Sequence, residues 1–242
     1  MTDIHCHIIP SADDGAQSLG ESLKMASIAA EGNTKGLVCT PHCNIPGEPK
    51  NYYTPALDRV VELLQQELDS ASIPLRLYPG QEVFLREGVG ELIRRGKVTT
   101  LNRSRYLLAE LDPPETLDTA LNLLKEVRST GLVPVLAHPE RCGFVREDPA
   151  SAKKLASLAL LQVNKDSFFG LFGRDTCRAA NEICRMGLAD LAASDGHSPY
   201  RRTPNLGDLH ELLCESFSPD YADLLLISNP EKIISDGVTH KI

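Results

Sequence analysis

The sequence predicts a single α/β domain in which seven strand–helix units form a parallel sheet. Short apolar runs alternate with longer segments whose apolar residues recur at helical spacing. In addition, 242 residues with 42% hydrophobic content are enough to bury one sizeable core. A parallel sheet that closes on itself forms a barrel with its functional groups at the carboxyl ends of the strands. We therefore expect one (β/α)7 barrel over residues 1–242.

The predicted strands are short apolar runs, and most of them stop at a His, Asp or Glu. They cover residues 3–7, 36–40, 75–81, 106–109, 133–137, 160–163 and 189–193. The predicted helices cover residues 18–32, 54–68, 87–95, 116–131, 150–158, 174–186 and 205–217, and one or two short helices follow residue 220.

Local signals mark where these helices begin and end. Ser18 with Glu21 three residues later matches a capping box, and Gly32 is a stop signal. Pro55 suits the first position of the second helix, and Gly131 ends the fourth. Helical spacing predicts core-facing positions at Leu19, Leu23, Ala26 and Ala30 in the first helix, Leu57, Val60, Val61, Leu64 and Leu68 in the second, and Leu117, Ala120, Leu121, Leu124 and Val127 in the fourth.

Charge and cysteine content narrow the function classes. The formal net charge of −8 argues against a general nucleic-acid-binding surface. The seven cysteines form no C-x-x-C pair, which favours reduced thiols in the cytoplasm over a disulfide framework. No apolar run approaches the roughly 18–20 residues of a membrane helix, so we expect no direct membrane insertion. An association of several copies is compatible with these data.

Groups that can bind metals follow six of the seven predicted strands. They are His5 with His7, His42, Glu82, Glu110, His138, and Asp195 with His197. Taken singly, each has an ordinary interpretation: a surface histidine pair, a core histidine, a rim carboxylate or a turn. Together they predict a polynuclear site at one mouth of the barrel. Imidazole and carboxylate ligands without thiolate suit zinc, manganese or iron, and Glu82 is the best candidate for a carboxylate that bridges two ions.

Several motifs carry a family resemblance over essentially the whole chain. The opening Asp3-Ile4-His5-Cys6-His7-Ile8-Ile9-Pro10 and Asp13-Asp14-Gly15 resemble the PHP-type bacterial metal-dependent protein-tyrosine phosphatases, which occur with capsule and exopolysaccharide synthesis. The similarity continues through these segments: Thr40-Pro41-His42, Gly80-Gln81-Glu82, Ala137-His138-Pro139-Glu140-Arg141, Gln162-Val163-Asn164, Ser194-Asp195-Gly196-His197 and Ser228-Asn229-Pro230.

This resemblance implies a distorted, TIM-like barrel that holds three divalent ions, most often manganese, with zinc or iron as alternatives. By position, the first ion takes His5, His7, Glu82 and Asp195; the second takes Glu82, Glu110 and His138; the third takes Asp14, His42 and His197. Asp13 offers the same chemistry as Asp14 one residue away. Cys43 stands where relatives often carry a further histidine.

The predicted site also includes arginines, because one guanidinium group can donate two parallel hydrogen bonds to the oxygens of a phosphate. Arg141 follows His138 by three residues, and the family's second phosphate-binding arginine matches Arg202 best, with Arg201 as its competitor. The alternative interpretations are that Arg141 forms a salt bridge and that Arg201 and Arg202 belong to a solvated basic loop. No cysteine has an arginine six residues later, which excludes the common C-x5-R thiolate mechanism.

The expected function is hydrolysis of phosphotyrosine without a covalent enzyme intermediate. The resemblance implies an autophosphorylated, membrane-associated bacterial tyrosine kinase as the partner, with no nucleic acid involved. The alternative within the same superfamily is a small-molecule phosphomonoesterase that resembles histidinol phosphatase. A non-catalytic regulatory module and a nuclease are the alternatives from other classes.

Overall fold

The computed structural model describes residues 1–236, and nine parallel-paired strands form two sheets within them. The strands are β1 (Thr2–Cys6), β2 (Gly36–Cys39), β3 (His42–Cys43), β4 (Arg76–Pro79), β5 (Glu82–Phe84), β6 (Tyr106–Glu110), β7 (Val133–Ala137), β8 (Leu160–Asn164) and β9 (Ala189–Ala193). The smaller sheet has the order β1-β2-β4, and the larger has the order β3-β5-β6-β7-β8-β9. The predicted domain range ends at residue 242, so its last six residues lie outside the described part.

The two extra strands, β3 and β5, begin just beyond the ends of the predicted strands 36–40 and 75–81. Thr40-Pro41 separates β2 from β3, and Gly80-Gln81 separates β4 from β5. Pro41 has no N–H to donate to a ladder, and the side chain of Gln81 instead bonds to the backbone of Asn51 and Thr99. The chain therefore passes twice from the smaller sheet to the larger one.

Hydrogen bonds connect β1 to the segment that follows β9. The amide of Asp195 donates to the carbonyl of His5 at 2.9 Å, and that of His7 donates to Gly196 at 2.8 Å. The buried Asp3 carboxylate accepts from the Ser194 hydroxyl at 2.5 Å. The first and last strands therefore lie side by side, although the ladders themselves stay divided into two sheets.

Eleven α-helices occur within residues 1–236. They are α1 (Leu19–Glu31), α2 (Pro55–Ser70), α3 (Val89–Arg94), α4 (Leu117–Arg128), α5 (Gly143–Glu147), α6 (Ala152–Ala156), α7 (Lys165–Phe168), α8 (Arg174–Arg185), α9 (Gly207–Ser216), α10 (Pro219–Asp223) and α11 (Asn229–Ile234). The short helices α5 and α7 are additions to the predicted set. None of the helices in the described part of the chain has the length and apolarity needed to cross a membrane.

The buried faces of the helices differ in part from the prediction. Leu19 is 40% exposed and Val60 is 36% exposed, so both predicted core positions are wrong. The buried stripe of α1 instead includes Ser22, whose hydroxyl donates to the carbonyl of Ile8 at 2.7 Å. That hydrogen bond allows a polar residue to take a core position. In α2 the predicted positions Val61, Leu64 and Leu68 are buried.

One buried apolar cluster takes side chains from both sheets. Ile4 and Val38 come from the smaller sheet, and Leu108, Val135 and Leu191 come from the larger one. The two sheets thus share a core, which holds the carboxyl ends of their strands close together.

Candidate metal centre

Four ligand atoms converge where β1 and β9 end and β5 begins. The Nε2 atoms of His5 and His7 lie 3.2 Å apart. Oε2 of Glu82 lies 3.2 Å from the first ring and 3.3 Å from the second. Oδ1 of Asp195 lies 3.3 and 3.4 Å from the same two nitrogens. All four side chains are buried.

The hydrogen bonds on the far side of each ring fix which nitrogen faces this cluster. Nδ1 of His5 donates to Oε1 of Gln162 at 2.9 Å, and Nδ1 of His7 donates to Oδ2 of Asp13 at 2.7 Å. These contacts assign the ring proton to Nδ1 and leave the Nε2 lone pairs facing each other. Two lone pairs and two carboxylates at this separation are a favourable set of ligands for a shared cation.

The spacing also matches a divalent ion. Ligand atoms about 2.0–2.2 Å from one cation are separated from each other by roughly 3.0–3.5 Å. Within the described residues, Oε2 of Glu82 and Nδ1 of His42 are buried without a hydrogen-bond partner, although they lie 3.0 Å apart. Such orphaned buried atoms fit metal ligands better than structural hydrogen-bonding groups.

Glu82 also reaches a second set of ligand atoms. Its Oε1 lies 2.9 Å from Nε2 of His138, and Glu110 lies 3.8 Å from the same nitrogen. Burial favours the neutral acid, yet the His5 and His42 rings hold the pKa of Glu82 well below its usual range. Burial and the charge of Glu82 raise the pKa of Glu110 to about 8. A shared cation between the two carboxylates would remove this repulsion.

The third set lies at the edge of the mouth. Oδ1 of Asp14 is 3.5 Å from Nε2 of His42 and 3.4 Å from Nε2 of His197. The neighbouring Asp13 is engaged differently, because its carboxylate accepts from His7, from the amide of His42 and from the amide of Gly15. Of the two aspartates, Asp14 therefore faces the histidines, and Asp13 orients one of them.

Two of the three candidate arginines meet the cluster at Asp195. A terminal nitrogen of Arg141 lies 2.7 Å from Oδ2 of Asp195, and one of Arg202 lies 2.5 Å from the same oxygen. Arg201 is exposed, and its backbone closes a turn with the hydroxyl of Ser198. Of these two neighbours, Arg202 contacts the cluster and Arg201 does not, a choice that spacing in the sequence left open.

The backbone is strained where two of these groups leave their strands. His138 has φ of 35° and Asp195 has φ of 51°, a left-handed conformation that non-glycine residues seldom adopt. Such strain of roughly 1–3 kcal/mol per residue is commonly found at functional sites. Cys43, by contrast, is buried in the apolar core, and burial raises the pKa of its thiol to about 12.

Sequence reasoning gave no role to Gln162 or to Asn164, which both contact the cluster. Gln162 accepts from His5, and Nδ2 of Asn164 donates to Asp195 at 2.6 Å. Both are polar residues of the buried strand β8, and an amide in an otherwise apolar strand is the signal that could have found them.

Known proteins resemble this chain over nearly its whole length. The family described as capsular polysaccharide synthesis, CpsB/CapC, matches residues 1–235. The tyrosine-protein phosphatase YwqE of Bacillus subtilis (strain 168) is 30% identical over 235 residues, which cover 97% of this chain and 91% of YwqE.

Solved structures extend the comparison to the fold. A chain from the crystal structures of YwqE from Bacillus subtilis and CpsB from Streptococcus pneumoniae, described as unique metal-dependent tyrosine phosphatases, superposes with a TM-score of 0.92 at 28% identity, covering 100% of this chain and 97% of that one. The phosphotriesterase from Mycobacterium tuberculosis has a TM-score of 0.57 at 12% identity over 91% of this chain and 86% of its own, a likeness in fold alone. With its family match spanning nearly the whole sequence, this chain belongs to the CpsB/CapC family.

Proposed function

We propose that this chain is a metal-dependent protein-tyrosine phosphatase that hydrolyses phosphotyrosine without a cysteine nucleophile. The observation that carries the proposal is the convergence of two imidazole lone pairs and two carboxylates, with two guanidinium groups on the outer oxygen of Asp195. The names of the relatives agree with this activity.

Three divalent ions fit the three sets of ligand atoms. His5, His7, Glu82 and Asp195 would hold the first, Glu82, Glu110 and His138 the second, and Asp14, His42 and His197 the third. We favour manganese, with zinc or iron as alternatives, because the donors are imidazoles and carboxylates without thiolate. When bound, such ions supply Lewis-acid charge neutralisation and an activated water for attack on phosphorus.

The side chains of this chain hold the substrate and its charge. Arg141 and Arg202 offer donors to the phosphate oxygens, and their positive charge stabilises the negative charge that spreads over those oxygens during in-line displacement. Asp195 holds both guanidinium groups beside the cluster before substrate arrives. Their Nε atoms are buried without a partner among the described residues, so substrate oxygens could complete their hydrogen bonding.

We also propose the barrel type, the cellular compartment and the phosphoprotein substrate of this chain. The shared apolar cluster and the hydrogen bonds between β1 and the segment after β9 support a distorted TIM-like (β/α)7 barrel, with residues 1–242 as one domain. Seven free cysteines support the reducing cytoplasm. The CpsB/CapC family description supports an autophosphorylated bacterial tyrosine kinase of capsule synthesis as the phosphoprotein substrate.

Hydrolysis of a phosphotyrosine peptide with added manganese, zinc or iron tests the proposal. We expect metal-dependent turnover that His138→Ala abolishes and His210→Ala leaves intact, because His210 lies on α9 and pairs with Asp223 at 2.8 Å. Histidinol phosphate serves as the second substrate. Faster turnover of histidinol phosphate, or full activity in His138→Ala, would contradict the proposal.

A further inference from the structure

An apolar loop follows α7 at the carboxyl end of β8. It comprises Phe169-Gly170-Leu171-Phe172-Gly173, and its glycines have φ of 76° and 89°. Phe169 is 51% exposed and Leu171 is 36% exposed. Single exposed apolar side chains are ordinary on a protein surface. Two of them two residues apart, on a loop bent by two glycines with positive φ, need a reason.

The last aromatic residue of this loop contacts both candidate phosphate-binding arginines. Cζ of Arg141 lies 3.8 Å from the centre of the Phe172 ring, and Cζ of Arg202 lies 5.7 Å from it. The same two guanidinium groups bond to Asp195. Phe172 is thus part of the layer of side chains immediately outside the metal-ligand cluster. A guanidinium held over a ring face gains cation–π attraction and keeps a fixed orientation.

The anchoring of the loop supports the same placement. Asn164, at the end of β8, donates to Asp195, and the neighbouring Lys165 donates from Nζ to the carbonyl of Thr203 at 2.7 Å. The segment that leads into the loop is therefore tied both to the cluster and to the chain next to Arg202. Within the loop, the amide of Leu171 donates to the carbonyl of Asp166 at 3.0 Å.

We propose that the Phe169–Gly173 loop binds the aromatic ring of aryl phosphates, with Phe172 as a specificity-determining residue, an inference that rests on the proposed phosphatase function. In an aryl phosphate a single oxygen joins the ring to phosphorus. A phosphate bound by Arg141 and Arg202 would therefore bring that ring within reach of Phe172. Aromatic pairs gain attraction beyond buried area, and an alkyl phosphate lacks the ring that makes this contact.

Binding of phosphonates to the manganese-loaded protein tests this inference without turnover. The probes are phenylphosphonate and methylphosphonate, measured by calorimetry for the wild type and for Phe172→Ala and Phe172→Tyr. We expect the wild type to bind the phenyl compound more tightly. Phe172→Ala should lower this preference by about three- to tenfold, the range of an aromatic pair, and Phe172→Tyr should retain it. Leu63→Ala, an exposed leucine on α2, is the control and should change neither affinity.

Different outcomes count against the loop's role and against the proposed phosphatase function. Equal losses of both affinities in Phe172→Ala, with the phenyl-to-methyl ratio unchanged, would mean that Phe172 only supports the arginines, and would overturn the inference. A wild type without any phenyl preference would overturn it too. Failure of the wild type to hydrolyse phosphotyrosine with any of the three metals would instead count against the proposed function.

Discussion

Asp13 accepts a hydrogen bond from Nδ1 of His7 at 2.7 Å, and this contact turns the other ring nitrogen towards the cluster of metal-ligand atoms. The same carboxylate oxygen accepts from the amide of His42 at 2.8 Å. A buried carboxylate that bonds to a ligand histidine fixes its tautomer and raises its basicity. Asp13 therefore orients His7 and the start of β3 together.

Asp13→Asn should weaken metal binding by about 10–100-fold, the usual cost of removing such a partner. The amide keeps the size of the side chain but loses its charge. Chelator competition monitored by metal content measures the effect, with Asp69→Asn on α2 as a control distant from the site. Unchanged metal affinity in Asp13→Asn would contradict the orienting role.

Gly15→Ala should lower both stability and activity. An added Cβ would lie 2.1 Å from the carbonyl oxygen of His7 and 2.4 Å from its Cβ, so one of the two backbones must shift. We expect a loss of about 1–3 kcal/mol in the free energy of unfolding. Gly20→Ala on α1 is the matched control, because its nearest contact is 3.9 Å away and alanine favours a helix by roughly 0.5–1 kcal/mol. Urea unfolding of both variants tests the difference in sign.

Arg202→Ala should reduce kcat by about 10²–10³-fold, because it removes a charged donor from the developing phosphate charge. Arg201→Ala should stay within about twofold of the wild type, since only the backbone of Arg201 takes part in the turn with Ser198. Steady-state kinetics on a phosphotyrosine peptide decide between the neighbours. The reverse pattern would assign the phosphate to Arg201.

Thiol alkylation should leave phosphatase activity nearly unchanged. Five of the seven cysteines are buried, and burial raises the pKa of the Cys142 and Cys184 thiols to about 12. Only Cys177 and Cys214 are partly exposed. Iodoacetamide at pH 8 should therefore modify these two first, as mass spectrometry can show, whereas all seven should react in urea. Rapid inactivation would revive a thiolate mechanism.

Removal of metal should lower the thermal stability of the wild type more than that of Glu82→Gln. Ions that bind only the folded state stabilise it by about 2.7 kcal/mol at a concentration of 100 times Kd. The Glu82 carboxylate reaches His5, His7 and His138, so its neutral amide should bind metal poorly. Thermal unfolding with and without EDTA measures the shift. Equal shifts in both proteins would exclude Glu82 as a shared ligand.

The sequence could place polar groups at strand ends, since parallel strands bring their carboxyl ends to one edge. His42 follows β2 and Glu110 ends β6. Their nearest atoms lie 3.7 Å apart although 67 positions separate the two residues in the sequence. The sequence could not show which of Asp13 and Asp14, or which of Arg201 and Arg202, faces the cluster. Adjacent residues of the same type differ only in the direction that the backbone gives their side chains. The sequence misplaced Leu19 because the buried face of α1 depends on the hydrogen bond between Ser22 and Ile8. Phe172 gave no periodic signal at all.

The pairing of β1 with the segment after β9 also has a consequence for biosynthesis. Asp195 lies 190 positions after His5 along the chain, so it is translated later. A nascent polypeptide cannot assemble the four-atom cluster until Asp195 has left the ribosome. A polypeptide that stops before β9 would keep His5, His7 and Glu82 but would lack Asp195, the carboxylate to which both candidate phosphate-binding arginines bond.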